Sequence, residues 1–108
     1  KSKKDGGMIK KNDVIMEIEG KEKDILKTDR SVLDLLQRMS GIATLTYNLI
    51  KKTKNKAGIA PTRKTQWRYL DKKATYLGKG LTHRLALWES ILIKDNHLIA
   101  IRKGRLSY

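Results

Sequence analysis

The chain has 108 residues, of which 39% are hydrophobic, and its 25 Lys or Arg against 11 Asp or Glu give a formal net charge of +14. This length allows one domain of ordinary size, and the positive charge favours anionic partners such as nucleic acid, a membrane surface or phosphorylated metabolites. Cysteine is absent, which excludes disulfides, thiolate metal sites and a cysteine nucleophile. No apolar stretch approaches the roughly 18 to 20 residues of a membrane span, so we expect a soluble, cytoplasmic protein.

The first 20 residues predict a half-buried strand. Val14, Met16 and Ile18 recur at every second position, and Glu17 and Glu19 fall on the opposite face. Glycines before and after this segment supply the turns.

The next segment predicts two helical stretches. Four apolar residues share one face of a helix that has Thr28 as its N-cap: Val32, Leu35, Leu36 and Met39. Ser40 and Gly41 interrupt this pattern. A second helical stripe follows at Ile42, Leu45 and Leu49, and it runs into a lysine-rich tract at 51–56 that is most simply an exposed turn.

The second half of the chain has the pattern of a strand–helix–strand unit. Short apolar runs at 59–61 and 91–93 predict strands that are buried on both faces. Apolar residues at helical spacing lie between them and end at Gly78, a suitable C-cap: Trp67, Leu70, Ala74 and Leu77. This order predicts an α/β fold.

Basic and polar residues follow these two strands. Arg63 and Lys64 come after the first run, Lys94 and Asp95 come after the second, and Thr62 and Thr65 add hydroxyl groups beside the first pair. Side chains at the carboxyl ends of parallel strands converge on one mouth in α/β barrels. Because arginine offers a planar fork and lysine a mobile point charge, we expect a pocket for a small ligand with several negative charges.

Simpler interpretations of the same residues stay open at this point. An Arg-Lys pair after a strand is often a solvated turn, and Asp95 and Asn96 can serve only to begin a helix through His97. The histidines His83 and His97 have no zinc-ligand pattern around them, and Gly78 to Gly80 is too short for a phosphate-binding loop.

Taken in order, several stretches resemble the quinolinate phosphoribosyltransferases, also called nicotinate-nucleotide pyrophosphorylases (carboxylating). They are DGGMIKKNDVIMEIEG with TDRSVLDLLQRMSGIATLT, then TRKT, LDKKA, THR and IKDNH. The resemblance implies the end of an N-terminal α/β sandwich domain at 1–40 and the start of an incomplete, TIM-like α/β barrel at 41–108. It further implies transfer of ribose 5-phosphate from phosphoribosyl pyrophosphate to quinolinate, with loss of pyrophosphate and CO2, to give nicotinate mononucleotide for NAD biosynthesis.

The resemblance also implies roles for individual residues. Quinolinate has two carboxylates, which are costly to remove from water unless fixed cations meet them. The resemblance gives that role to Arg30, Arg63, His83, Arg84 and Lys94. It places phosphoribosyl pyrophosphate at Lys64, Thr62, Thr65 and Lys94, with Asp95, Asn96 and His97 as a supporting loop.

The same resemblance implies partners beyond these residues. Arg30 is expected to reach into the active site of a second copy, which implies a homodimer with shared sites. Mg2+ is expected as a cofactor whose ligands lie outside this chain. A complete barrel needs about 250 residues, so we expect these 108 residues to be a fragment that is inactive alone.

Two other functions compete with this interpretation. One is a small nucleic-acid-binding module that uses the basic stretches at 1–4, 51–56 and 102–105 as phosphate contacts, although no recognised binding fold supports it. The other keeps the fold and changes the acceptor, as in a nicotinate phosphoribosyltransferase or a pyrophosphorylase-like relative. Four cations argue for a dicarboxylate acceptor: Arg30, Arg63, Arg84 and Lys94.

Overall fold

Helices dominate the architecture of the chain. The computed structural model describes residues 3–104, in which a long helix α1 (Glu22–Lys52) is followed by α2 (Tyr69–Leu77), a short 3-10 turn (Leu87–Glu89) and α3 (Asp95–Arg102). About half of the described residues are helical, which is compatible with a fragment of an α/β domain.

α1 is longer than the sequence predicts. It begins six residues before Thr28, with the acidic Glu22 and Asp24 in its first turn, where they complement the helix dipole. The prediction of Thr28 as N-cap is therefore wrong, and its hydroxyl instead donates to the Asp24 carbonyl at 2.9 Å inside the helix. The predicted break at Gly41 is also wrong, because the apolar stripe continues in phase on both sides and outweighs the cost of about 1 kcal/mol for a helical glycine.

The predicted strands do not form within residues 3–104. The segments at 59–61 and 91–93 have no regular secondary structure, and Met16 forms only an isolated bridge. A strand requires a neighbour along most of its length. The described chain supplies single hydrogen bonds instead, from Lys3 N to the Ile15 carbonyl at 2.9 Å and from Leu81 N to the Ile59 carbonyl at 2.8 Å.

The predicted helix before Gly78 is confirmed as α2, which packs closely against α1. The approach depends on Gly78, because a Cβ atom there would clash with the Ala43 carbonyl of α1 and lie 2.9 Å from the Thr46 Cβ. Gly80 is equally restricted by methyl groups of Thr46 and Thr75, at 2.7 and 2.6 Å. Of the lysine-rich tract at 51–56, Lys51 and Lys52 form the end of α1, and the residues at 53–56 form the largely exposed turn that was predicted.

Most of the buried non-glycine residues in the described part of the chain are polar or charged. Ala74 and Ala86 are the buried apolar residues there, and the buried polar or charged residues are Thr46, Asp71, Lys72 and Thr75. Many large apolar side chains stay exposed, and the surface area of 9808 Å2 exceeds the roughly 6,100 Å2 of a compact protein of this mass. The radius of gyration of 19.7 Å likewise exceeds the roughly 13 Å of a compact domain of this length.

No helix within residues 3–104 has an apolar stretch long enough to cross a lipid bilayer.

Candidate functional site

The candidate site is built around two adjacent buried charges at the start of α2. Asp71 and Lys72 are 2% and 3% exposed, and they are directed to different neighbours. Asp71 contacts α1, whereas Lys72 contacts the two loops that carry Arg63 and His83. The first turn of α2 therefore joins the long helix to the predicted ligand-binding loops.

Asp71 and Arg38 of α1 form a two-pronged ion pair. Nε and Nη2 of Arg38 each donate to one carboxylate oxygen of Asp71 at 2.8 Å. This hydrogen bonding holds the pKa of Asp71 below its usual value, despite the opposing effect of burial, and it raises the pKa of Arg38. Arg38 also donates to the Gln66 side chain at 3.1 Å and lies 5.0 Å from the centre of the Trp67 ring. The pair therefore anchors the loop that follows Lys64.

Lys72 forms three hydrogen bonds to backbone carbonyls. Its ammonium donates to Pro61 at 3.2 Å, to Thr82 at 3.1 Å and to His83 at 2.9 Å. An ammonium group has three donors, so these contacts use all of them. Burial lowers the pKa of Lys72, while the negative charge of Glu89 raises it and the positive charge of Arg63 lowers it.

Arg63 lines a small cavity of about 30 Å3, enough space for a water molecule. The cavity is also lined by Arg68, Tyr69, Lys72 and Leu85. Three of its five lining residues are cationic and none is acidic, so an anionic group is the chemically favoured occupant of its mouth.

Lys64 and Thr65 line a second and larger space. This groove has a volume of about 410 Å3 and lies between α1 and the segment at 59–66. The Thr65 hydroxyl is buried and has no hydrogen-bond partner within the described residues, although Thr65 itself is only partly buried. Thr62 supports the turn between the two spaces, because its hydroxyl accepts a hydrogen bond from Lys64 N at 3.2 Å.

In the His83–Arg84 loop, the Arg84 side chain binds backbone carbonyls of the residues that follow it. Arg84 donates from Nε to the Ala86 carbonyl at 3.2 Å and from Nη2 to the Leu87 carbonyl at 3.3 Å. The Glu89 carboxylate accepts a hydrogen bond from Leu85 N and closes the turn. His83 is exposed, so its imidazole is available to a ligand in solution.

The predicted supporting loop is the beginning of α3. Lys94 is the N-cap residue, and its backbone N–H donates to Nδ1 of His97 at 3.3 Å. Asp95 and Asn96 occupy the first turn of the helix and are exposed. The helix predicted through His97 is confirmed.

Arg30 lies apart from the other predicted residues of the site. It is eight residues before Arg38 on α1, a separation of about 12 Å along the helix axis. Its side chain is 76% exposed and pairs with Asp34 at 2.7 Å.

The structure brings some of the predicted residues together and leaves others separate. The segment that carries Arg63 and the backbone of His83 meet at the ammonium of Lys72. Lys64 and Thr65 share the larger groove. The remaining predicted residues line neither of these two spaces: Arg30, Thr62, His83, Arg84, Lys94, Asp95, Asn96 and His97.

Sequence reasoning missed the three charged residues that organise this region. Arg38 lies three residues after Leu35 and four before Ile42, and Asp71 lies four residues after Trp67. Both charges therefore fall within apolar helical stripes, a position that indicates a buried partner. Lys72 lies in the LDKKA stretch that resembles the family, but the pattern of residues does not distinguish it from the adjacent Lys73, which is exposed.

Within the described residues, no three side chains of His, Asp or Glu are grouped so that they could hold a metal ion.

Comparison with known proteins places both halves of the chain in one family. The family model described as the C-terminal domain of quinolinate phosphoribosyl transferase matches residues 42–105, and that of the N-terminal domain matches residues 1–40. The border between the two matches falls inside α1. Comparison with solved structures gave no significant match.

Curated relatives support the same relationship. The chain is 42% identical over 102 residues to a probable nicotinate-nucleotide pyrophosphorylase (carboxylating) of Archaeoglobus fulgidus, which covers 90% of this chain and 40% of that protein. It is 44% identical over 101 residues to the protein of the same name in Bacillus subtilis, and the match covers 91% of this chain and 35% of that protein. Identity to quinolinate phosphoribosyltransferase (decarboxylating) 1b of Nicotiana tabacum is 41% over 98 residues, and the match covers 89% of this chain and 28% of that protein. The chain thus spans 28 to 40% of the length of these relatives.

Proposed function

Because the chain belongs to the quinolinate phosphoribosyl transferase family, we propose that it forms part of an enzyme that makes nicotinate mononucleotide from quinolinate and phosphoribosyl pyrophosphate. The observation that carries the proposal is the convergence of the Arg63 segment and the His83 backbone on Lys72. It brings two of the loops expected to bind quinolinate to one buried nitrogen atom.

Charge matching supports quinolinate as the acceptor. Two carboxylates on one pyridine ring require several fixed cations. Arg63 and Arg68, together with the buried charge of Lys72, whose donors are already used by backbone carbonyls, supply positive charge at the mouth of a small cavity that has no acidic lining residue. In the proposal, Arg63 binds one carboxylate, His83 approaches from the loop that meets Lys72, and Lys94 is assigned to the ligand by the family resemblance alone. Nε and Nη2 of Arg84 hold the turn of its loop, and Nη1, which these two bonds do not use, is the nitrogen that we assign to the ligand.

The larger groove suits phosphoribosyl pyrophosphate. Lys64 supplies positive charge at its edge, and the unpartnered hydroxyl of Thr65 supplies a donor inside it. The described residues offer no set of acidic ligands for the expected Mg2+, so they do not fit a metal site of their own.

The proposed reaction exchanges one bond at the sugar and one at the ring. The pyridine nitrogen bonds to the anomeric carbon as the bond to pyrophosphate breaks, and cations near the leaving group stabilise its growing negative charge. The carboxylate beside that nitrogen then leaves as CO2. The positive ring holds the electron pair that remains, until a proton takes the place of the carboxylate.

The proposal includes a homodimer in the cytoplasm. Arg30 is exposed and lies about 12 Å along α1 from Arg38, so in the proposal it serves the site of a second copy rather than the loops beside Lys72 on its own chain. We expect the 108 residues alone to be inactive, since they match only 40% and 35% of the length of the two relatives from Archaeoglobus fulgidus and Bacillus subtilis.

The test measures the activity of the intact gene product with quinolinate or nicotinate as acceptor, using the release of pyrophosphate as the readout. We expect turnover with quinolinate, and we expect Arg84→Ala to weaken quinolinate binding far more than nicotinate binding. Lys52→Ala, a change of an exposed cation at the end of α1, is the matched control and should leave both unchanged. Equal effects of Arg84→Ala on the two acceptors would contradict the assignment.

A salt titration separates this proposal from the nucleic-acid alternative. Binding to nucleic acid that weakens steeply with salt, without protection by quinolinate, would favour the alternative. Lys1, Ser2 and Arg105 of the basic stretches invoked by that alternative lie outside the described residues.

A further inference from the structure

Lys72 is a buried cation that no carboxylate pairs with directly among the described residues. Its ammonium is surrounded by carbonyl oxygens of Pro61, Thr82 and His83. Burial of a lysine that makes only neutral contacts is costly, and three well-placed carbonyl dipoles offset that cost. Such an arrangement indicates a specific purpose for the positive charge at this position.

The three carbonyls come from two separate loops. Pro61 precedes the Thr62–Lys64 turn, while Thr82 and His83 precede Arg84, and the two segments are about 20 residues apart in sequence. Lys72 itself is fixed by the first turn of α2, and its neighbour Asp71 is tied to α1. The Lys72 side chain therefore connects both loops to α2, which is itself held against α1.

We propose that Lys72 is a positioning residue that fixes the spacing between the Arg63 segment and the His83–Arg84 loop, and so sets the affinity for the acceptor. This inference rests on the proposed function, because it takes quinolinate as the ligand of those loops. Lys72 is not assigned contact with the reacting atoms. Its charge also adds to the positive potential of the cavity beside Arg63.

A positioning role differs from general stabilisation in what it predicts. Loss of the three hydrogen bonds frees two loops relative to each other. The groove that Lys64 lines does not include Lys72 in its lining, and α1 still bounds it, although Pro61 also contributes to its wall. We therefore expect the KM for quinolinate to change selectively. A misplacement of about 1 Å at a binding group is enough to cost on the order of 100-fold in catalytic efficiency.

The experiment compares Lys72→Met, Lys72→Arg and Lys73→Met in the intact gene product. Lys73 is the adjacent lysine on α2, but it is exposed, so Lys73→Met is the matched control. For Lys72→Met we expect a KM for quinolinate raised about 10- to 100-fold and a KM for phosphoribosyl pyrophosphate changed much less. Lys72→Arg keeps the charge and several donors, and it should restore part of the quinolinate affinity.

Hydrogen exchange provides a second measurement that does not depend on turnover. Amides at 62–64 and 82–85 should exchange faster in Lys72→Met, while amides of α1 keep their protection. Unchanged KM and unchanged loop exchange in Lys72→Met would overturn the proposal, as would equal rises in both KM values with loss of protection throughout α1. If Lys72→Met does not fold, Lys72→Arg decides on the same two readouts. If the wild type has no activity with quinolinate while Lys72→Met still shows faster exchange in the two loops, the proposed function alone is refuted.

Discussion

Arg38 and Asp71 join the long helix to the second helix through two parallel hydrogen bonds of 2.8 Å. Arg38 belongs to the region matched by the N-terminal family model and Asp71 to the region matched by the C-terminal one. The pair also orients Trp67, whose backbone N–H donates to Asp71 at 3.2 Å. One ion pair therefore couples both family regions to the loop that follows the predicted phosphate-binding residues.

Arg38→Lys should destabilise the gene product even though it keeps the positive charge. Lysine cannot form the fork to Asp71, so at least one carboxylate oxygen loses its partner, at a cost of about 1 to 3 kcal/mol in the free energy of unfolding. Denaturant unfolding measures this difference. Arg30→Lys is the matched control, because Arg30 and Asp34 form an exposed pair on the same helix that is worth less than about 1 kcal/mol. Equal losses in the two variants would contradict the structural role of the Arg38 pair.

The ion pair also predicts how stability depends on pH. Bonding to Arg38 lowers the pKa of Asp71 in the folded state from its ordinary 3.8. A group of this kind contributes stability that is fully present above the unfolded pKa and is lost as pH falls through the lower folded pKa. Unfolding of wild type and Asp71→Asn between pH 7 and pH 2.5 should therefore show a difference in stability that shrinks below about pH 4. A constant difference across this range would show that Asp71 does not titrate in this way.

The close approach of α1 and α2 predicts opposite effects for two glycine substitutions. Gly78→Ala places a methyl group against the Ala43 carbonyl and 2.9 Å from the Thr46 Cβ, so it should cost about 1 to 3 kcal/mol by forcing the helices apart. Gly41→Ala meets no atom within 4 Å and lies inside α1, so it should stabilise by about 0.5 to 1 kcal/mol. Thermal unfolding of both variants is the measurement. Stabilisation by Gly78→Ala would mean that the two helices do not pack as described.

The sequence predicted the parts of the fold that depend on local periodicity. The helix before Gly78 is confirmed because its apolar spacing and its C-cap are local signals. The helix through His97 is confirmed as well, although it begins one residue earlier than expected, with Lys94 rather than Asp95 or Asn96 as its N-cap. The predicted break at Ser40 and Gly41 is wrong, because the apolar stripe of α1 continues through both residues. The strands were wrong for a different reason. Strand pairing depends on distant neighbours, and the described residues supply only isolated hydrogen bonds to those segments.

The candidate site was predictable in its composition but not in its organisation. The turn after Pro61 and the loop at His83 are identifiable from sequence because basic residues cluster there. Their connection through Lys72 depends on three carbonyl groups, which are present in every residue and leave no mark in a sequence. The assignment of ligand-binding roles to these residues stays a prediction.

The proposed shared active site predicts that two inactive variants restore activity when they are combined. Arg30→Ala and Arg63→Ala should each inactivate the enzyme, because each site would draw Arg30 from one copy and Arg63 from the other. Co-refolding of the two variants should then recover about a quarter of wild-type activity, since half of the dimers are mixed and each mixed dimer has one intact site. Self-mixing of either variant is the control and should recover nothing. If the mixture stays inactive while subunits that carry two different affinity tags co-purify as mixed dimers, Arg30 acts within its own chain or has no role in the site.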